Sequence, residues 1–498
     1  MKTILILMDT LRRDVLDCYN DKTQVIAPNL SKFAKNATVF RQHWIGSAPC
    51  MPARRDIFTG RLNFLERSWG PIEAHDITLI ELLKKSGIYT HIITDHTHYF
   101  RTGGEGYVQQ FDTWQFNRGQ EGDPWISQID DPLMPNTFYG RVRRQYELNR
   151  KEWEGKPDDY PSPKTFLDAI DWIKTNKNKD NYLLMVETFD PHEPFDVDDL
   201  YMDMYAKVDL DRDYFEIPEY GELNVPNEAA KYLETRYKAL VTMTDDYFGK
   251  FIDSLSEEEF NDTMIIVTSD HGFFFGEHGY LGKNVMPMYN ELSHIPLIIK
   301  FPNNYLKGEE INDLTQAIDF MPTILDFYKL DTPDTVKGKS IFKKLENEKK
   351  EKEENAVLFG YHGLQMNVTD GKYTYFRAPN SENKPLYEYT TSLSKIRGFL
   401  GKGEEEKVEM GRFLKRTKYP VYKVPIDIPS QIASEKTKLS LIGKSYLFNI
   451  DEDYAQNNNL IGNTILENKY KKIMKDLMKF HDSPKEQFER LELNEEEE

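Results

Sequence analysis

Five short apolar runs, each ending in polar residues, constrain this chain most. They are TILILM (3–8), YTHIIT (89–94), YLLMVETF (182–189), TMIIVTS (263–269) and IPLIIKF (295–301). Each is too short to cross a membrane and too apolar for a strand with one wet face. A strand that is apolar on both sides is buried on both sides, the condition of a parallel sheet covered by helices. Helical periodicity lies between the runs, in PNLSKFAKNA (28–37), TLIELLKKSG (78–87), TFLDAIDWIKTN (165–176) and from Asn227 to about Leu255. The alternation predicts an α/β fold, with a large, mostly parallel sheet sandwiched by helices.

At 498 residues the chain exceeds one small core, so a large domain and a smaller one are expected. The texture changes near residue 350. Short alternating pieces follow (AVLFGYHG, KYTYFRA, SYLFNI), then one terminal helix, ILENKYKKIMKDLMKFHD. The reading is a catalytic domain over 1–350 and an α+β domain over 351–498, with a short antiparallel sheet and a terminal helix. Two stretches resist assignment, 101–160 and 196–224. Long irregular insertions of this kind either overhang an active site or are plain surface loops.

Net charge is −19, which argues against nucleic acid and against a basic membrane-surface protein. Part of that charge sits in two solvated runs, KKLENEKKEKEEN (343–355) and LELNEEEE (491–498). The only cysteines are Cys18 and Cys50, too few for a disulfide framework, and no CxxC zinc pattern exists. The first apolar run is cut off by Asp9, Arg12 and Arg13, too short for a signal peptide or a span, so a cytoplasmic location is expected.

In an open parallel sheet, ligands bind outside the carboxyl ends of the strands. Those ends carry a coherent set here: Asp9-Thr10; Asp95-His96-Thr97-His98; Asp190-Pro191-His192-Glu193; and Ser269-Asp270-His271-Gly272, with Lys283 shortly after. Taken singly, Asp9 or Asp270 is a helix cap and His271 a core histidine. Taken together, Asp9, Asp270 and His271 are donors that a hard or borderline divalent cation takes. Cys50 lies in SAPCMPARRDIFTG (47–60), where Pro52 suits the first turn of a helix over 51–59 and Gly60 its end. That places Cys50 at a helix mouth that favours anions, with Arg54 one turn along. The cysteine is a thiolate, a metal ligand or a buried apolar residue. A soft thiolate matches an oxygen-rich metal site poorly, which argues that Cys50 does not work as cysteine.

These residues resemble the sulfatase family of the alkaline-phosphatase superfamily. Cys50-Met51-Pro52-Ala53-Arg54 matches its CxPxR signature, whose cysteine a maturase converts to formylglycine. Six further segments match in order: APNL (27–30), SDHGFFFGEHG (269–279), Lys283 with MYNELSHIPLII (288–299), AIDFMPTILDF (317–327) with Gly338 and Ser340, VTDGKYTYF (368–376) and LFNIDEDYAQNNNL (447–460). The resemblance implies an alkaline-phosphatase-like fold and hydrolysis of a small anionic sulfate ester, such as a sulfated sugar or an aryl sulfate. It implies one divalent metal, calcium by family habit with manganese as the alternative, held by Asp9, Asp270, His271 and an oxygen of the modified Cys50. Arg54 then steadies the formylglycine hydrate, and His192 and Lys283 contact the sulfate, His192 as a general acid.

By the same resemblance, one hydroxyl of the hydrated aldehyde attacks sulfur and the other expels sulfate. Positive charge gathers where the transition state turns negative. Three departures stand out. Thr10 occupies the place of a second metal-binding acid. His96 and His98 occupy the usual lysine segment, His96 as a substrate contact and His98 in catalysis. His271 replaces an asparagine, as in formylglycine relatives that cleave phosphonate monoesters and phosphodiesters. Those relatives give the alternative activity, and an inactive substrate-binding relative gives the alternative of another class. Cys18 is read as a free thiol, and His43, His75, His91, His294, His362 and His481 as structural.

Overall fold

A computed structural model describes residues 1–284, 286–346, 356–396, 398–399, 405–426 and 443–493. The residue 350 boundary, most of the acidic run 343–355 and the glutamates that close 491–498 lie outside the described residues. The main sheet holds β1 (Lys2–Met8), β2 (Thr38–Trp44), β4 (Tyr89–Thr94), β5 (Thr113–Phe116), β6 (Tyr182–Thr188), β8 (Thr263–Thr268), β11 (Leu297–Lys300) and β12 (Glu310–Gln316). Its order is β12-β2-β11-β8-β1-β6-β4-β5. A small second sheet joins β7 (Gly221–Glu222), β9 (Phe274–Phe275) and β10 (Tyr280–Gly282).

The four apolar runs that form β1, β4, β6 and β8 pair in parallel as expected. The fifth is a correction: β11 runs antiparallel to both β8 and β2. Between β8 and β11 the longest α-helix is one turn, Asn290–Ser293. Without a crossover helix the chain re-enters the sheet from the end it left, which only an antiparallel strand allows. Strands β2 and β12 were not expected, because Arg41-Gln42-His43 and Glu310, Asn312 and Asp313 break their apolar pattern.

Alternate residues of each central strand feed opposite cores, as the two-residue period requires. Ile4, Ile6, Leu184, Val186, Ile265 and Val267 meet α4 (Pro161–Thr175) and α5 (Asn227–Ser254) through Phe166, Leu240 and Phe248. Leu5, Leu7, Leu183, Met185 and Ile266 meet α2 (Cys50–Thr59), α3 (Leu79–Lys85) and α6 (Phe320–Phe327) through Met51, Phe58, Leu83 and Ile324. Helices thus cover both faces.

The later residues build a five-stranded sheet: β13 (Val357–Tyr361), β14 (Met366–Thr369), β15 (Tyr373–Arg377) and β16 (Tyr446–Asn449), completed by β3 (Ser47–Ala48). Helix α7 (Thr464–Phe480) packs Tyr470, Met474 and Met478 against Leu358, Val368 and Leu447. The strand β3 is therefore shared: Ser47 and Ala48 pair in parallel with Gly360 and Tyr361. The smaller sheet grips the chain two residues before Cys50. Asp56 adds a second hold there, accepting from Ser47 N at 2.6 Å, Ser47 Oγ at 2.7 Å and Asn63 N at 2.9 Å.

Candidate active site

Helix α2 begins on Cys50 itself and ends at Gly60, whose φ of 63° is the left-handed conformation that stops a helix. Cys50 Sγ lies 3.2 Å from His271 Nε2 and 3.7 Å from Lys283 Nζ, and is buried. Asp9 arrives at the end of β1, and Asp270 and His271 just past β8, so adjacent parallel strands deliver three donors to one place. Ligand atoms of Asp9, Cys50, Asp270 and His271 all lie within 4.8 Å of one another. This donor set fits a divalent cation: two carboxylates and a neutral imidazole, all buried.

Arg54, fully buried, is the hub of the charge balance. Its Nη2 donates to Asp9 at 2.9 Å, its Nη1 to Asp270, and its Nε to Glu187 at 2.6 Å. Thr10 adopts φ 66°, costly for a β-branched residue, and is pinned there by Asp270, which accepts from its N–H at 3.1 Å. The Thr10 hydroxyl donates to Asp9 Oδ1 at 2.8 Å and accepts from Lys283 Nζ at 3.3 Å. It stands between the Asp9 carboxylate and the lysine.

Electrostatics follow from this packing. Burial works to raise the Asp9 carboxyl, but the Arg54 guanidinium holds it well below the usual range. Burial, then Asp9, drives the Cys50 thiol well above its ordinary value, so the thiolate is strongly disfavoured. Burial opposes the charge on Lys283, yet the carboxylates around it, Asp9 and Asp270 among them, hold its ammonium above the ordinary value. Burial keeps His271 lowered, in the neutral form that ligates metals.

The remaining expected residues form a rim. His96 Nε2 is 3.6 Å from Asp9 Oδ2, and among the described residues neither of its ring nitrogens has a hydrogen-bond partner. His98 stacks edge-on against Trp69 and faces Glu121 Oε2 at 3.4 Å. His192 packs on Phe189 with ring centres 4.1 Å apart, its Nδ1 facing Glu193 Oε2 at 3.2 Å. Burial, then Lys283, lowers His192 well below its ordinary value.

Several residues escaped the sequence reading. Glu187 accepts from Arg54, from Tyr99 OH at 3.0 Å and from Thr94 Oγ1 at 3.0 Å. Its one signal was an acid inside an apolar run. Glu121 and Gln120 come from the 101–160 insertion, and Tyr220, which donates to Glu193, from 196–224. Both insertions therefore reach the site. Tyr361, from the smaller sheet, accepts from Asn284 N at 3.1 Å beside Lys283.

A family model described as Sulfatase matches residues 2–329. The chain belongs to the sulfatase family. It is 26% identical over 379 residues to an arylsulfatase of Clostridium perfringens, covering 68% of this chain and 77% of that one. Over a shorter stretch of 115 residues it is 38% identical to an N-acetylglucosamine-6-O-sulfatase of Bacteroides thetaiotaomicron, 23% of this chain and 20% of that one. The solved phosphonate monoester hydrolase of Agrobacterium radiobacter shares the fold, with TM-score 0.68 at 17% identity over 96% of each chain. The expected alkaline-phosphatase-like architecture is thus the one found. As a sulfatase the chain is a sulfuric ester hydrolase. Among the described residues no helix is long and apolar enough to cross a membrane.

Proposed function

We propose that this sulfatase cleaves sulfate monoesters of small anionic substrates, a sulfated sugar or an aryl sulfate. It would do so in the cytoplasm, with a formylglycine made from Cys50 by a maturase and with one calcium ion, manganese being the alternative metal. The convergence of Asp9, Cys50, Asp270 and His271 around Arg54 and Lys283 carries this reading. The raised Cys50 thiol supports it too, since a buried thiol beside Asp9 is a poor ligand and a poor nucleophile. The metal, when bound, supplies positive charge to the sulfuryl oxygens. The modified residue supplies a hydrated aldehyde in place of the sulfur.

The chain's own residues have separable tasks in this reading. Arg54 balances Asp9, Asp270 and Glu187, which holds the carboxylates turned toward Cys50. Lys283 places its ammonium between Thr10 and Cys50, where a substrate anion meets it. His192 rests neutral because burial and Lys283 oppose its charge. An anion bound at Lys283 screens that repulsion, so His192 gains proton affinity as substrate arrives and can protonate the leaving oxygen. In this reading His96 contacts the substrate and His98 takes part in catalysis, standing in for the lysine usual at that segment. We divide the chain into a catalytic domain, 1–350, and a smaller one, 351–498, on the ground that four of the five strands of the second sheet and α7 come from the later residues, although β3 and an apolar cluster with Leu62, Phe64 and Ile318 join the two parts.

Mass spectrometry of the peptide bearing Cys50, after co-expression with a maturase, is expected to show the aldehyde. Finding only the thiol ends the formylglycine reading. Rates on an aryl sulfate against an aryl phosphonate monoester separate the activities: a higher specificity constant for the phosphonate transfers the assignment to that chemistry. Equal inactivity of wild type and Cys50→Ala on both substrates marks an inactive relative.

A further inference from the structure

Two aspartates that the chemistry above does not use lie buried at neighbouring strand ends. Asp95 follows β4 and Asp190 lies two residues past β6. Asp95 is wholly inaccessible and Asp190 is 3% exposed. Among the described residues neither makes an ion pair. One amide bridges them: Gln120 Nε2 donates to Asp190 Oδ1 at 2.9 Å and to Asp95 Oδ2 at 3.3 Å. One hydroxyl does the same from α4: Ser162 Oγ donates to Asp95 Oδ2 at 2.6 Å and accepts from Asp190 N at 3.1 Å. Asp95 Oδ1 accepts from Phe189 N at 2.7 Å.

Two adjacent carboxylates in a dry site with no cation cannot both ionise. Two of the titratable groups facing the pair make this worse, Glu187 beside Asp95 and Asp196 beside Asp190; Tyr146, which also faces Asp190, is kept neutral by burial and adds no charge. Burial raises Asp95 to about 7, and burial with the charge of Asp95 raises Asp190 well above the carboxyl range. The values belong to the pair rather than to either member.

The pair sits where it controls the rim. Asp95 immediately precedes His96-Thr97-His98, Asp190 precedes Pro191-His192, and Gln120 precedes Glu121, which faces His98. We propose that Asp95 and Asp190 hold one proton between them across Gln120 and Ser162, and that this singly charged clamp positions His96, His98 and His192. Both aspartates are positioning residues and touch no substrate. The positioning claim rests on the functional reading of those histidines; the shared proton does not. Removing the proton at high pH puts two negative charges on one amide and one hydroxyl, so the clamp opens and the rim shifts.

The test pairs an activity-free readout with a kinetic one. The infrared difference spectrum of metal-loaded wild type minus Asp190→Asn at neutral pH, in which the other raised carboxyls Asp56 and Glu193 cancel, is expected to show the carbonyl stretch of one buried protonated carboxyl. The imidazole resonances of His96 and His192 are expected to move with that band on raising the pH, and to hold still in Asp190→Asn. On 4-nitrophenyl sulfate, Asp190→Asn keeps kcat/KM near wild type at neutral pH and extends its alkaline limb, whereas Asp190→Ala loses roughly 10–100-fold. Asp95→Asn serves as the second neutral isostere if Asp190→Asn fails to fold. A wild type without the protonated band overturns the proposal. So do neutral isosteres that lose as much activity as Asp190→Ala, or histidine resonances indifferent to the band. Band and resonances behaving as stated, with no sulfate turnover by any variant, uphold the clamp and sink the sulfate-ester reading instead.

Discussion

Replacing Glu187 with Gln tests the charge balance around Arg54 with almost no change of shape. Glu187 Oε1 accepts from Arg54 Nε at 2.6 Å and from Tyr99 OH at 3.0 Å, and Oε2 from Thr94 Oγ1 at 3.0 Å. A glutamine keeps its oxygen at the first position, and its amide meets the Thr94 hydroxyl, which can rotate to accept. What disappears is one negative charge and the ionic part of one hydrogen bond, about 1.5–3 kcal/mol for a charged partner. Arg54 then bears harder on Asp9 and Asp270, and would compete for their oxygens with the metal proposed there. Partners one shell out from a metal typically carry about 10–100-fold in affinity or activity. At about 1.4 kcal/mol per tenfold, that is about 1.4–2.7 kcal/mol, in line with the hydrogen-bond figure. Calorimetric titration of the metal-free protein with calcium is therefore expected to give a dissociation constant roughly 10–100-fold higher in Glu187→Gln, with kcat/KM falling in step. Glu187→Ala should be worse, since it strands a buried guanidinium nitrogen and two hydroxyls. A calcium affinity within about twofold of wild type, against the 10–100-fold worked above, refutes the role assigned to Glu187.

Two other outcomes are expected. Lys283→Ala removes the ammonium 3.7 Å from Cys50 Sγ; steady-state rates on an aryl sulfate should fall roughly 10²–10³-fold, and a loss below tenfold contradicts its place at the sulfuryl group. Glu193 is raised to about 7, chiefly by burial, so between the unfolded carboxyl value, about 4.3, and about 7 the folded chain holds the extra proton. Its contribution to stability is full below the lower value and lost as the pH rises through the upper one. Melting curves of Glu193→Gln should accordingly rise above those of wild type past neutral pH and converge with them in acid. The opposite trend shows that Glu193 is ionised in the fold.

Much of the fold was legible because burial on both faces writes itself into consecutive residues. TILILM, YLLMVETF and TMIIVTS became β1, β6 and β8, and the strand ends gave Asp9, Asp270 and His271 directly. The direction of β11 was not legible, because an apolar run carries no arrow. The edge strand β12 and its neighbour β2 were hidden by their polar residues, several of which sit at half-exposed positions. The ordinary histidines show packing roles the sequence anticipated. His91 stacks on Trp172 with an interplanar angle of 7°, and His294 on Trp44 with an angle of 6°. Burial pushes the thiol of half-buried Cys18 up to about 12.

What the sequence determined by itself was local: strand length, helix ends at Pro52 and Gly60, and which residue types stand just past each strand. Those facts follow from neighbours in the chain, whose geometry is set within a few residues. Only the tertiary structure decided that Arg54 is shared by Asp9, Glu187 and Asp270, that Tyr361 of the smaller sheet braces the Lys283 loop, and that Asp95 and Asp190 meet across Gln120 and Ser162. These partners lie far apart in sequence, and several sit on insertions without periodicity. Their meeting depends on which strands are adjacent and how the insertions fold back, and no local pattern records either.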